Sequence, residues 1–352
     1  MISFTCDYAE GAHERVLQRL METNREQTLG YGEDVYCAQA RNYIQTLCED
    51  DRLDVHFLVG GTQSNAAVIT AALRPYQSVI APSSGHINIH ETGAVESYGH
   101  KVLPIPSTDG KITAAQIQTL YDDHWNDVTH EHMVQPGMVY LSQPTETGTL
   151  YSKAELTAIW ETCQTCGLTL FIDGARLGYG LMSESCDLTL PQLAHLCDVF
   201  SIGGTKQGML FGEAVVISQE ALKRDFRYII KQHGAMLAKG RLLGLQFCAM
   251  LEDGLYFDLS RQADRLAMML RRAFEARGYP MYFDSYTNQQ FPTLPDSVLE
   301  KLAQEFEFAF WTKADAAHSV VRVCTSWATE ETAAEALIAA LDRCRNETSD
   351  QR

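Results

Sequence analysis

Basic side chains are the first shortage. The 352-residue chain carries 28 Lys and Arg against 45 Asp and Glu, a formal net charge of −17. So acidic a surface repels phosphate backbones unless a local basic patch intervenes. The densest basic stretch, residues 223–231, is broken by Asp225 and by aromatic side chains, so no nucleic-acid partner is expected. Long apolar runs are missing too. None approaches the roughly 18 residues that span a bilayer, and the first ten residues have neither the basic cluster nor the apolar stretch of a secretory leader. The expectation is a cytoplasmic protein with no membrane partner. Cysteine is plentiful, at ten residues, but lacks the spacing of a disulfide framework. Cys163 and Cys166 form one Cys-x-x-Cys, with no second pair at zinc-ribbon distance. They fall in a helical stretch, where residues three apart share a face and thiols pack as small hydrophobes. No metal is expected, and free thiols suit a reducing compartment.

What is present is ordinary globular material: 45% hydrophobic and 21% charged residues, enough to build a substantial core without disulfides. Short β-branched runs at 55–59, 78–81, 101–105, 138–142, 168–173, 198–202 and 214–218 read as seven strands. Between most of them lie helical stretches, at 62–73, 114–121 and 153–166. That alternation predicts an α/β fold around a mostly parallel, doubly wound sheet, whose ligands gather beyond the carboxyl ends of the strands. From 220 to about 277 the pattern is helical. Beyond Gly278, hairpin-like runs at 281–284, 306–311 and 319–324 precede an amphipathic helix at 330–345. The expected division is a large domain over 1–252, with its N-terminal segment at a domain or subunit interface, and a smaller α+β domain over 253–352. The polar tail 346–352 is expected to fray.

Three segments carry chemistry. Gly60-Gly61-Thr62-Gln63-Ser64-Asn65 follows a strand and opens an apolar helix. Glycine permits close backbone approach, and the amides freed at a helix start, with Thr62, can hold an anion such as a phosphate. An ordinary strand-to-helix turn uses the same glycines. Asp173, in Phe171-Ile172-Asp173-Gly174-Ala175-Arg176, ends a buried apolar strand. A carboxylate there needs a cation. Arg176, three residues on, is one candidate; the protonated ring nitrogen of a cofactor is another, because an aspartate facing it keeps a pyridinium charged and electron-withdrawing. Lys206 closes Ser201-Ile202-Gly203-Gly204-Thr205-Lys206, after the next strand. A lysine partly desolvated beside other cations has a depressed pKa and an amine free to form an imine. Most lysines are solvated surface charges; the ordered combination of the three segments is what sets this one apart.

That order resembles the aspartate-aminotransferase-like fold, type I, of enzymes that use pyridoxal 5′-phosphate, and within it the threonine aldolase and β-eliminating lyase family. The resemblance runs over nearly the whole chain. It is carried by the segment 2–12, Gly32-Glu33-Asp34-Val35-Tyr36, Gly61-Thr62-Gln63-Ser64-Asn65, His86 with Glu91 and Gly93, Asp173-Gly174-Ala175-Arg176, and Val321-Arg322-Val323. The resemblance implies a carbon–carbon lyase cleaving a β-hydroxy-α-amino acid, L-threonine or L-allo-threonine, to glycine and an aldehyde. It implies Lys206 as the Schiff-base lysine, Asp173 as partner of the pyridinium nitrogen, and His86 stacked on the ring near the substrate hydroxyl. Gly61, Thr62 and Thr205 would hold the phosphate. Arg176 would lie near the ring oxygen and the substrate carboxylate, and Arg322 would grip that carboxylate. A homodimer or homotetramer follows from the same likeness, with Tyr31 or Tyr36 able to reach a neighbouring site or simply to pack. Thr205-Lys206-Gln207 and Cys6-Asp7-Tyr8 depart from the family's Ser-Lys-Gly and Ser-Asp-Thr, which bears on substrate choice. A β-eliminating lyase or an aminotransferase would use the same constellation. A cofactor-free nucleotide-binding protein lacks a Gly-x-Gly-x-x-Gly signature and leaves Lys206 unexplained, and a binding protein without catalysis would not need both Lys206 and Asp173.

Overall fold

The computed structural model describes residues 1–349. The chain opens on a two-residue strand, β1 (Ile2–Ser3), and seven strands follow that form one sheet. They are β2 (Asp54–Leu58), β3 (Gln77–Pro82), β4 (Lys101–Ile105), β5 (Gln135–Ser142), β6 (Thr169–Asp173), β7 (Val199–Gly203) and β8 (Glu213–Ile217). Each coincides with one of the seven predicted runs. Their order is β2-β8-β7-β6-β5-β3-β4, and every pairing is parallel except those of β8 with β2 and β7.

The central strands are apolar on both faces because helices cover both. Side chains alternate across the sheet with the two-residue period of a strand. Phe171, Met138 and Tyr140 join one core with the helix Gly61–Ala72, while Leu170, Ile172, Val139 and Leu141 join the other with Lys153–Cys166. Full burial of each such side chain stabilises the fold by about 1.5–3 kcal/mol. The helix Lys153–Cys166 begins at a Ser152–Glu155 capping box, as its sequence invites. Cys163 and Cys166 are both free and buried on its inner face, and burial pushes their thiols up.

The antiparallel insertion of β8 matters for the site. Leu58 at the end of β2 and Gly203 at the end of β7 both stand in register with Glu213, the first residue of β8. Ser142 at the end of β5 is likewise in register with Asp173 at the end of β6. One edge of the sheet therefore collects the carboxyl ends of four strands and a buried glutamate.

A separate C-terminal sheet pairs β13 (His318–Cys324) with β9 (Gln289–Gln290), β10 (Thr293–Pro295) and β12 (Ala309–Lys313). Its core, including Leu266, Phe274, Val321 and Val323, packs under the helices Leu255–Ala276 and Glu331–Ser349. The last helix runs through part of the predicted polar tail, and residues 350–352 lie outside the described residues. β1 pairs in parallel with β11 (Phe306–Glu307), so the chain's first residues join the C-terminal layer. The run at 281–284 departs from expectation: only Met281 makes a bridge, to Pro292. Tyr282 N donates to Phe291 O beside that bridge, but past 284 the backbone turns away, Ser285 O accepting from Arg271 and Tyr286 N donating to Gly148 O, so the pairing goes no further. No described helix is long and apolar enough to cross a membrane.

That loop contact makes Gly148 demanding. Its φ is +79°, and a Cβ there would meet Ser285 Oγ at 2.0 Å. Gly278 has a similar φ of +82° with nothing within 4 Å. Gly278→Ala should cost only the left-handed backbone penalty, about 1–2 kcal/mol. Gly148→Ala adds overpacking and should lose about 1–3 kcal/mol more, measured as a difference in urea midpoints.

Candidate active site

Beyond the carboxyl ends of β2, β5, β6 and β7 lies a cavity of ≈ 260 Å³. Gly61, Thr62, His86, Asp173, Arg176, Thr205 and Lys206 all line it; of the predicted site residues, Arg322 alone does not. Four separate stretches of sequence thus converge. The helix Gly61–Ala72 starts at Gly60 with no side-chain cap, leaving its first amides free at the cavity wall. A Cβ on Gly60 or Gly61 would have nothing within 4 Å, so both glycines border open space.

Asp173 is 5% exposed and well supplied with donors. Its Oδ2 accepts from Tyr140 OH at 2.6 Å and Asn65 Nδ2 at 3.0 Å, and its Oδ1 accepts from Ala175 N at 2.9 Å. Arg176 is not its partner. The guanidinium turns instead to Asp7, with Nε–Oδ2 at 2.6 Å and Nη2–Oδ1 at 2.9 Å. A cation is still called for at Asp173, and the cavity is where it would sit.

Lys206 rises from a short turn after β7, held by Thr205 Oγ1, which accepts from Gly212 N at 3.1 Å. Among the described residues its Nζ forms no hydrogen bond or ion pair. Burial lowers its pKa and the Arg176 charge lowers it further, against opposition from Asp7, Glu213 and Asp173. The amine is therefore easier to free of its proton than an ordinary lysine's. Glu213, on the facing strand, is 5% exposed, and burial drives its carboxyl well above the usual range.

His86 opens the short helix His86–Ile89. Its Nδ1 lies 2.7 Å from Glu91 Oε1, and its backbone N donates to Glu146 Oε1 at 2.8 Å. Burial pulls the imidazole pKa down, but the Glu91 hydrogen bond and the Asp173 charge lift it above the ordinary value. Arg322 stands back on β13, donating to Thr5 O at 2.7 Å and Gln289 Oε1 at 3.3 Å, with its Nε buried and unpartnered. Tyr31 and Tyr36 lie away from this cavity. Lys231 sits over the Tyr31 ring at 4.8 Å, and Tyr36 bonds Glu26 under Arg241.

The sequence reading assigns no role to Asn65, Glu91, Glu146 or Glu213. Two signals were available. Asn65 follows Gly61 by four residues, one helical turn along the same face. Glu213 opens a buried apolar strand just as Asp173 closes one. Glu146 lies in a loop and has no such pattern.

These residues suit pyridoxal phosphate. Free helix amides bordered by two glycines fit a phosphate, an unpaired amine fits an aldehyde carbon, and a buried carboxylate lacking a cation fits a protonated ring nitrogen.

The β-eliminating lyase family model matches residues 6–296. The low specificity L-threonine aldolase of Pseudomonas aeruginosa is 32% identical over 302 residues, which is 85% of this chain and 86% of that one. The solved structure of Leishmania major threonine aldolase is 43% identical with a TM-score of 0.95, covering 98% of this chain and 99% of the other. An aspartate aminotransferase double mutant from Thermus thermophilus superposes at a TM-score of 0.70 over 97% of this chain and 91% of its own, at 14% identity, a likeness of fold alone. The aspartate-aminotransferase-like architecture is thus common ground, and with a family model spanning most of its length the chain belongs to the β-eliminating lyase family.

Proposed function

We propose that this protein is an aldehyde-lyase that uses pyridoxal 5′-phosphate to cleave the Cα–Cβ bond of L-threonine or L-allo-threonine, giving glycine and acetaldehyde. The observation that carries the reading is the convergence of an unpaired Lys206 amine, a cation-seeking Asp173 and an uncapped helix start on one cavity. The names of the similar aldolases support the substrate class. Bound there, the cofactor supplies a carbonyl carbon for the lysine and an electron-withdrawing ring.

The chain's own groups do the rest. Gly61, Thr62 and Thr205 hold the phosphate. Asp173, fixed by Tyr140 and Asn65, presents its charge to the ring nitrogen. Lys206 would hold the cofactor's carbonyl carbon through its unpaired amine. Arg176 is locked by Asp7 through Nε and Nη2, which leaves Nη1 for the substrate carboxylate, with Arg322 as the second guanidinium for that group. His86 would cover the ring face, with Nε2 open to the cavity to take the β-hydroxyl proton.

We also propose a homodimer or homotetramer in the cytoplasm. Leu29 is 71% exposed, Val35 66% and Tyr31 47%, an apolar patch that a second copy would cover, and ten free thiols suit a reducing compartment.

The test is an aldehyde-release assay on cofactor-loaded protein, with L-threonine and L-allo-threonine offered separately. Equal amounts of acetaldehyde and glycine are expected. Ammonia and a keto acid instead would move the assignment to elimination, and silence with both substrates would defeat the substrate class.

A further inference from the structure

Glu91 has no part in the chemistry above, yet the hydrogen bonds of the site meet at it. Its side chain is wholly buried. Oε1 accepts from Asn65 Nδ2 at 2.7 Å and faces His86 Nδ1 at 2.7 Å, while Oε2 has no partner among the described residues. An ionised carboxylate only accepts, so the proton between Glu91 and His86 belongs to Nδ1. Nε2 is then the unprotonated nitrogen, on a side chain that lines the cavity.

Two sets of contacts hold His86. One runs from the ring through Glu91 and Asn65 to Asp173 Oδ2. The other fixes the backbone: His86 N donates to Glu146 Oε1, which also accepts the Ser142 hydroxyl proton. The ring itself is held at Nδ1, by Glu91.

We infer that Glu91 is a positioning residue for His86: it fixes the Nδ1–H tautomer, turns the Nε2 lone pair to the cavity, and stabilises the imidazolium formed when Nε2 takes a proton. The logic is that of a buried carboxylate orienting a catalytic histidine, here with the acid five residues along the same segment. The charged and titratable groups facing His86 are Glu91 and His90 from its own segment, Glu146 from the loop after β5, Asp173 from β6, and Lys206 from the turn after β7. Burial and Lys206 disfavour the imidazolium, while Glu91 and Asp173 favour it. Glu91 is the only one of the two that bonds the ring.

Glu91→Gln tests this with almost no change of shape. With its amide oxygen in the place of Oε1, the glutamine would accept from both Asn65 and Nδ1–H, so the tautomer is kept while the negative charge that favours the imidazolium is lost. The readout is ¹⁵N NMR of histidine in full-length protein without cofactor, His86 being assigned with a His86→Asn variant. The wild type should show Nδ1–H at neutral pH. Glu91→Gln should keep Nδ1–H with a midpoint lower by about one pH unit or more, and Glu91→Leu, which offers Nδ1 no acceptor, should lose the Nδ1–H preference. In the loaded enzyme kcat should fall roughly 10–100-fold with KM little changed. An unaltered tautomer in Glu91→Leu or an unaltered midpoint in Glu91→Gln would overturn the proposal. If these variants do not fold, Asn65→Ala leaves Oε1 to His86 alone and should raise the midpoint; no rise would be equally decisive. The inference rests on the aldolase reading for its catalytic meaning, but the NMR arm is independent of it. An unmoved tautomer defeats the role of Glu91, whereas a wild type silent with both substrates defeats the aldolase reading.

Discussion

Lys206→Ala is expected to abolish turnover and covalent cofactor capture together. The amine is unpaired among the described residues, its pKa is lowered by burial and by Arg176, and it shares the cavity with the helix start and Asp173. No other lysine lines that cavity. Turnover should fall roughly 10⁴-fold or more, the scale seen when a covalent nucleophile is removed. Borohydride reduction followed by intact mass measurement gives the second readout. Wild-type protein should gain one cofactor mass and the variant none, while the variant still binds cofactor loosely through its phosphate site. A stable adduct in Lys206→Ala would show that another amine carries the linkage.

Asp7→Ala should cause the largest loss of stability. The Asp7 carboxylate is 0% exposed and bonds both the Arg176 guanidinium and Asn288 Nδ2, the latter at 2.9 Å. Removing one partner strands a buried cation, at a cost of about 3–5 kcal/mol, readable as a fall in the urea midpoint. Burial alone would raise the Asp7 pKa, but the charge and hydrogen bonds of Arg176 bring it below the ordinary 3.8. A carboxyl depressed on folding contributes stability that is full above 3.8 and lost as pH falls through the lower folded value. The wild type should therefore lose stability steeply below pH 3.8, and Asp7→Asn should lack that component. An acid limb identical in both proteins would contradict the assignment.

The strands of the large sheet were readable because both-face burial demands apolar runs, and such runs stand out between polar turns. Asp173 and Lys206 were readable for a related reason: a charged group at the end of a buried strand is costly enough to announce itself. Pairing was not readable. Arg176 lies three residues from Asp173 and 169 from Asp7, and nothing in local spacing tells which carboxylate a guanidinium reaches. Glu146 was hidden likewise, since a loop has no period to betray where its side chains point. Arg322 sits on the strand expected of it, yet its guanidinium is occupied by Thr5 O and Gln289, contacts that only the closing of the N-terminus over β13 creates.

The pairing of β1 with β11 has a consequence for biosynthesis. Ile2 finds its partner at Phe306, and Asp7 one of its own at Asn288, near opposite ends of the chain. All seven strands of the large sheet leave the ribosome before either partner is made. Strand β1 must therefore stay unpaired until β11 has emerged, long after the large sheet is made. A nascent chain halted after β8 would carry the lysine, the aspartate and the helix start, but not the strand on which β1 docks.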